Sequence, residues 1–338
     1  MLTDSFGRTI RYLRVSVTDR CNLFCSYCRL PTEKTRPDHQ DILDFDELIR
    51  LVRIFLELGI ERVRLTGGEP LLRRNLVDLV RELAHLPGLQ ELSLTTNAML
   101  LERHAADLQT AGLRRVNISL DTLNPDTFAA LTRHHASPTH STPQGLAAVL
   151  AGIKAAIRVG LRPVKVNMVV MRGINHQEIP EMLHFAQQQG VVLRYIETMP
   201  IGEAGQEMND RFLPTEEILA TLQHHFGEQL LPVAADPGSG PARYFTLRGT
   251  GTEVGVISAR SRHFCDSCNR MRLTANGRLL YCLGREEGMD LKTLLRSGAD
   301  EPTLHAAIRT AVAMKPAGHA FAQQEEVPRT TRMSAVGG

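Results

Sequence analysis

Three cysteines crowd into one short stretch near the start of the chain, Cys21-x3-Cys25-x2-Cys28. They directly follow an alternating segment, Tyr12 to Thr18, that reads as a strand. Three thiolates on one tight loop suit a [4Fe–4S] cluster, which four cysteines ordinarily hold. The missing fourth leaves one iron open to another ligand. A structural zinc wants four ligands, usually from paired C-x2-C units, and three close thiols cannot all pair as disulfides. A second trio, Cys265-x2-Cys268-x13-Cys282, ends on the far arm of a hairpin turning at Asn276-Gly277. It too reads as a cluster with an open iron, and zinc closed by a histidine such as His263 is the rival reading. All six cysteines of the chain fall into these two groups.

Two further patterns could do chemistry. Gly67-Gly68-Glu69-Pro70 pairs glycines, which let backbone approach a ligand, with a carboxylate able to accept from an ammonium. The G-K-[ST] ending of a Walker loop is absent. The second pattern is basic. Residues i and i+2 of a strand share a face, so Arg62 points with Arg64, Arg270 with Arg272, Lys165 with Asn167, and Arg14 with Ser16 and Thr18. Arginines facing inward would be costly unless an anion met them. A triphosphate is such an anion, and guanidinium forks match phosphate oxygens. Pairing with Glu61, Glu69 or Glu197, or solvent exposure, is the plain alternative.

The elements that must position these residues alternate along the chain. Strands read at Tyr12–Thr18, Arg62–Thr66, Leu92–Thr95, Arg115–Leu120, Val164–Val170 and Val191–Glu197. Helical stretches lie between them near Phe45–Leu58, Leu76–His85, Leu101–Ala111, Leu146–Val159 and Glu178–Gln189, several closed by a glycine. Repeated βα units imply a parallel sheet. Six fall short of the eight of a full barrel, so the α/β fold expected is a partial TIM-type barrel, with a C-terminal α+β region over its open side. Parallel α/β folds place their sites at the C-terminal strand ends. Those ends carry the first cysteine loop, Thr66 to Pro70, Thr95-Thr96-Asn97, Ser119-Leu120-Asp121, and Glu197 with Met199. A Pro/Gly-rich stretch from Pro232 to Pro241 reads as a boundary, giving expected units of 1–231 and 232–338.

With 39 basic against 37 acidic residues, no global nucleic-acid or membrane field is implied. Aromatics are not interleaved with basic residues, and Trp is absent, which disfavours a single-strand nucleic-acid module. No apolar leader or membrane-length run is seen. Six cysteines without a signal peptide point to a reducing, cytoplasmic setting. Residues 134–144 (HHASPTHSTPQ) read as a surface insertion rather than a metal site.

The C-x3-C-x-Y-C loop, with Tyr27 before its last cysteine, resembles the signature of the radical S-adenosylmethionine (SAM) enzymes. The second trio, with Asn269-Arg270-Met271-Arg272-Leu273-Thr274, narrows this to a close resemblance to the GTP 3′,8-cyclases of molybdenum cofactor biosynthesis, over essentially the whole chain. The resemblance implies a (βα)6 shape and two [4Fe–4S] clusters, on Cys21, Cys25 and Cys28 and on Cys265, Cys268 and Cys282. It implies SAM at Gly68, Glu69, Ser119 and Met199, with Tyr27 near its adenine. It implies GTP against Arg14, Arg64, Thr95, Lys165, Arg270, Met271 and Arg272, with Arg62 and Arg194 on the triphosphate. The guanine would sit on the open iron of the second cluster. The terminal Gly337-Gly338, on sequence alone a frayed end, would reach into the cavity and serve catalysis. Implied partners are a flavodoxin- or ferredoxin-type electron donor and the downstream cyclic pyranopterin monophosphate synthase, and a homodimer fits the same picture. A different auxiliary-cluster radical SAM enzyme, acting on a peptide, is the alternative. Departures from the family pattern are Phe24 where arginine is frequent, Arg29-Leu30 where Met-Pro is usual, and Ala98 in place of glycine.

Overall fold

The computed structural model describes residues 1–30, 42–132, 142–234, 240–321 and 333–337. Six βα repeats run through the first two thirds of the chain. Their strands are β1 (Tyr12–Ser16), β2 (Arg62–Thr66), β3 (Glu91–Thr96), β4 (Arg115–Ser119), β5 (Lys165–Val170) and β6 (Val192–Glu197). The helices between them are α1 (Phe45–Glu57), α2 (Leu76–Ala84), α3 (Leu101–Thr110), α4 (Pro125–Thr132), α5 (Thr142–Arg158) and α6 (Ile179–Gln189). Helix α1 shows how sequence sets such an element. Asp44 accepts from the Glu47 N–H and Glu47 accepts from the Asp44 N–H, each at 2.8 Å. Leu48, Leu51, Val52 and Phe55 then recur at helical spacing and are buried against the sheet. Gly59, at φ +103°, turns the chain away. Losing the Asp44 cap would cost about 1 kcal/mol.

The remaining strands are β7 (Leu230–Pro232), β8 (Arg243–Leu247), β9 (Thr252–Ile257), β10 (Arg270–Leu273), β11 (Arg278–Leu280) and β12 (Gly288–Asp290). They do not form a separate layer. These twelve strands make one sheet in the order β12-β11-β10-β1-β2-β3-β4-β5-β6-β9-β8-β7, and Leu2–Thr3 pairs separately with Thr9–Ile10. β10 pairs parallel with β1, and β9 pairs parallel with β6. The run from β10 to β9 is therefore all parallel, with hairpins completing each edge. β9 and β10 do not pair with each other, so the barrel stays partial, as expected from six repeats. The C-terminal strands extend both of its edges.

Register places the basic residues in rows. Arg272, Arg14, Arg64 and Ser93 are lateral neighbours across β10, β1, β2 and β3. Arg270, Tyr12 and Arg62 form the row below. Thr95, Asn117 and Lys165 continue across β3 to β5, and Asn167 neighbours Arg194. The alternate positions, among them Leu13, Val15, Val63, Leu65 and Val116, face the helices and build the main apolar core. The period-2 expectation for Arg14, Arg62, Arg64, Lys165, Arg270 and Arg272 holds. Met271 lies on the opposite face of its strand, fully buried in that core.

Candidate active site

Three adjoining chambers run across the inner face of the sheet. Cys21, Cys25 and Cys28 border the first, together with Tyr27, Gly68, Thr95, Ser119 and Met199. Three local devices fix this end. The Tyr27 hydroxyl donates to Asp121 Oδ2 at 2.7 Å, and the Val169 N–H donates to Oδ1 at 2.8 Å. Burial pushes the Asp121 carboxyl up to about 6. Asp121 thus braces the cysteine loop, while Asn124 is the helix cap, accepting from the N–H groups of Asp126 and Thr127.

The second device is the glycine pair, whose reason differs from the expected one. A Cβ on Gly67 would lie 2.4 Å from the Thr18 carbonyl, and one on Gly68 would lie 2.3 Å from the Arg20 carbonyl. The close approach is to the backbone of the cysteine loop. Gly68 N donates to Thr18 O at 2.8 Å and Glu69 N to Arg20 O at 2.7 Å. Glu69 is the third device. Gly68 borders the chamber and Glu69 does not. Its carboxylate is fully buried and accepts from the Leu71 N–H, the Thr96 hydroxyl and the Asn97 N–H. It therefore positions the β2 and β3 loops, and burial lifts its pKa to about 7.

The chamber fits what the cysteine loop implies. Burial, with Glu69 nearby, pushes the Cys21 thiol up to about 11, and burial with Asp121 and the neighbouring cysteines raises Cys25 well above its usual value. Thiols packed this way ionise readily only against a bound metal cation. Among the described residues no three Cys, His, Asp or Glu converge on a single ion, and a cluster instead takes one thiolate at each of several separate irons. Thr95 Oγ1, Thr198 Oγ1 and Ser334 Oγ are buried at this chamber without a partner among the described residues. They are groups that a polar ligand would satisfy.

The second chamber is basic. Arg14, Arg62, Arg64, Arg115, Lys165, Arg194, Arg270 and Arg272 border it, and among the described residues no carboxylate does. Guanidiniums about 5 Å apart at an effective dielectric of ~20 repel by on the order of 3 kcal/mol per pair. Neutral acceptors temper this. Ser93 Oγ accepts from Arg64 Nε at 3.0 Å, and Asn167 Oδ1 from Arg194 Nε at 2.9 Å. The Asn117 carboxamide oxygen, turned to suit both neighbours, accepts from Arg64 and from Arg194. Lys165 Nζ donates to the Tyr244 hydroxyl at 2.9 Å. Burial lowers Arg14, Arg64 and Lys165, and takes Arg194 and Arg272 down to about 10. Tyr12 reports the field independently. Burial alone would raise its pKa, but Arg64, Arg14, Arg270 and Arg115 outweigh burial and lower it.

The acids offered as plain partners are engaged elsewhere. Glu61 pairs with Arg11, and Glu197 accepts from Thr215 and from the N–H groups of Arg260 and Ser261. Arg115, which pairs with Glu91 at 2.6 Å, was missed in the sequence, as were Tyr12, Asn117 and Tyr244. The i, i+2 rule on β4 would have paired Arg115 with Asn117. Tyr244 had no such signal, because β8 is not adjacent to β5 in the sheet.

Cys265, Cys268 and Cys282 border the third chamber with Arg270, Met271 and Arg272. Burial raises Cys265, whereas at Cys268 the cations Arg270 and Lys315 outweigh burial and lower the thiol. His263 does not border this chamber, though His319, whose ring lies 5.3 Å from it, does. Met199 borders all three chambers, Thr95 the first two, and Arg270 with Arg272 the last two. The space is therefore continuous from one trio to the other.

The C-terminal tail enters it. Met333–Val336 forms one helical turn whose Met333 and Val336 pack in a small apolar cluster with Ile201, Leu280 and Phe321. Arg272 Nη1 donates to the Val336 carbonyl at 3.1 Å and to the Gly337 carbonyl. Gly337 has φ +72°, and a Cβ there would lie 2.1 Å from Thr66 Oγ1. Gly338 lies outside the described residues, as do residues 133–141, which hold most of the expected insertion. The two departures in the first loop meet each other, with the Arg29 guanidinium 4.3 Å from the centre of the Phe24 ring.

Residues 15–186 match the family model described as Radical SAM superfamily, and residues 191–321 match Molybdenum Cofactor Synthesis C. The whole chain is 44% identical to the GTP 3′,8-cyclase of Hydrogenovibrio crunogenus, covering 99% of that protein. It is 44% identical to the GTP 3′,8-cyclase of Moorella thermoacetica, with both chains covered completely. Among solved structures, Streptococcus suis SuiB bound to S-adenosylmethionine superposes with a TM-score of 0.60 at 15% identity, over 89% of this chain and 68% of that one. That likeness speaks to the fold. Full-length identity, both family matches and the double-trio cavity agree, and this chain belongs to the radical SAM superfamily and, within it, to the GTP 3′,8-cyclases.

Proposed function

We propose that the chain cyclises GTP between two [4Fe–4S] clusters, one on Cys21, Cys25 and Cys28 and one on Cys265, Cys268 and Cys282. The observation that carries this reading is the basic chamber between the two trios, which no carboxylate among the described residues borders. With the first cluster held by Cys21, Cys25 and Cys28 and SAM bound, the site would supply 5′-deoxyadenosyl radical chemistry that removes the C3′ hydrogen of GTP. Bonding of C3′ to C8, completed by uptake of one electron and one proton, would give (8S)-3′,8-cyclo-7,8-dihydroguanosine 5′-triphosphate, the first step towards molybdopterin.

The chain's own residues hold the reactants. Gly68, Ser119, Met199 and Tyr27 line the SAM side, with Glu69 behind them fixing the loops. Arg14, Arg64, Lys165, Arg270 and Arg272 hold GTP, with Arg62 and Arg194 on its phosphates. Charge-assisted bonds there are roughly twice as strong as neutral ones. Thr95 stands where the two chambers meet, placed to orient the ribose. Met271 supports the second trio from the core side. Arg272, bonded to the carbonyls of residues 336 and 337, couples the tail to the GTP side, and the Gly337-Gly338 pair serves catalysis. Residues 1–231 and 232–338 act as one catalytic body, since the second part supplies both flanking strands. A flavodoxin- or ferredoxin-type protein delivers electrons, a cyclic pyranopterin monophosphate synthase consumes the product, and the setting is cytoplasmic. Among the described residues no helix is long and apolar enough to cross a membrane.

The test is anaerobic reconstitution with SAM and dithionite, offering each nucleoside triphosphate in turn. The expected result is 5′-deoxyadenosine with GTP consumed and ATP untouched. 5′-Deoxyadenosine without GTP consumption would move the assignment to a peptide-type radical SAM enzyme.

A further inference from the structure

The second trio has a cationic neighbour that the proposed chemistry does not use. Lys315, just beyond the helix Glu301–Ala313, is only 4% exposed. Its Nζ donates to the carbonyl of Tyr281, the residue before Cys282, at 2.9 Å. It borders the same chamber as Cys268. Among the described residues no carboxylate borders this chamber. A buried ammonium without an acid is costly, and a thiolate-held iron–sulfur group is the anion that would offset it.

Lys315 is held in place by a separate device. Arg8, itself buried, donates from Nη1 to the Cys265 carbonyl and to the Ala317 carbonyl, each at 2.8 Å, and from Nη2 to the Pro316 carbonyl at 2.6 Å. Its Nε is anchored on Asp4 at 2.6 Å. One guanidinium thus ties a cysteine of the trio to the two residues that follow Lys315. A surface lysine would need no such clamp.

We infer that Lys315 is a charge-balancing, positioning residue for the second cluster and stabilises its reduced state. The inference rests on the reading that this trio holds a [4Fe–4S] cluster. Reduction adds negative charge beside the ammonium, and both net charge and hydrogen bonds to the sulfurs set such potentials. Removing the cation favours the oxidised form and makes the potential more negative.

The experiment compares full-length wild type, K315M and K315R after reconstitution. Iron and sulfide per chain are measured, and each cluster is titrated reductively with detection by electron paramagnetic resonance. The expected result is a more negative potential for the second cluster in K315M, an unmoved first cluster, and recovery in K315R. Loss of the second cluster in K315M but not in K315R supports the same need for a cation. An unmoved second potential, an equal move of both potentials, or loss of the second cluster in both variants overturns the role of Lys315. A wild-type chain that binds a single cluster overturns instead the reading of the trio, so the two failures are distinct.

Discussion

Gly337→Ala tests whether the tail is part of the active site. At φ +72° an alanine costs about 1–2 kcal/mol. Its Cβ would also lie 2.1 Å from Thr66 Oγ1 and 3.0 Å from Thr66 Cβ, against the ~3.5–4.0 Å of normal contact. Thr66 is 1% exposed on a central strand and cannot retreat. The tail must yield at residue 337, and the bond from Arg272 to the Gly337 carbonyl goes with it. Hydrogen bonds to a charged donor are worth ~1.5–3 kcal/mol each. Backbone strain plus one such bond gives about 3 kcal/mol, or roughly a hundredfold drop in the seated tail. The tail packs in a small cluster apart from the main core, so the melting temperature should move by less than about 2 °C. GTP conversion and thermal unfolding of the same preparation decide it. Wild-type turnover in the variant refutes the argument, and so does a turnover loss matched by a melting shift of many degrees, which would place the strain in the fold.

Cys21→Ala should abolish 5′-deoxyadenosine formation, whereas Cys265→Ala should keep uncoupled SAM cleavage and lose GTP conversion; equal loss of cleavage in both would contradict the division between the trios. Arg64→Met should raise KM for GTP roughly tenfold or more, the worth of one charge-assisted bond, and steady-state kinetics at fixed SAM would show it. Glu69 carries a pH signature in the cluster-free protein. Its pKa is raised by burial to about 7, so the protonated form favours the fold. Its contribution is fully present below the ordinary carboxylate value of ~4.3 and is lost as pH rises through about 7. Denaturant unfolding should show stability falling over that window, and Glu69→Gln should flatten the fall. The same variant sets an amide N–H₂ among the Leu71, Thr96 and Asn97 donors, so it should cost about 1–3 kcal/mol at low pH.

Much of this protein was legible as sequence because its signals are local. Cys21, Cys25 and Cys28 sit on one loop, and six βα periods announce a parallel sheet to within a residue or two at each strand. The i, i+2 rule put Arg62 with Arg64 and Arg270 with Arg272 before any fold was known, since strand pleating is a property of the backbone alone. The tertiary structure decided what depends on which strands become neighbours. Only the parallel pairing of Arg270–Leu273 with Tyr12–Ser16 sets Arg272 beside Arg14 and Arg64, and only that row makes a triphosphate-sized positive field. The missing side chains of Gly67-Gly68 also make room for the carbonyls of Thr18 and Arg20, a need that only the packed backbone shows. Glu69 also anchors two loops, because three protein donors reach its buried oxygens. The tail's path to Thr66 and Arg272, and Lys315 beside Cys268, join residues tens to hundreds of positions apart. No periodicity carries such contacts; packing alone creates them.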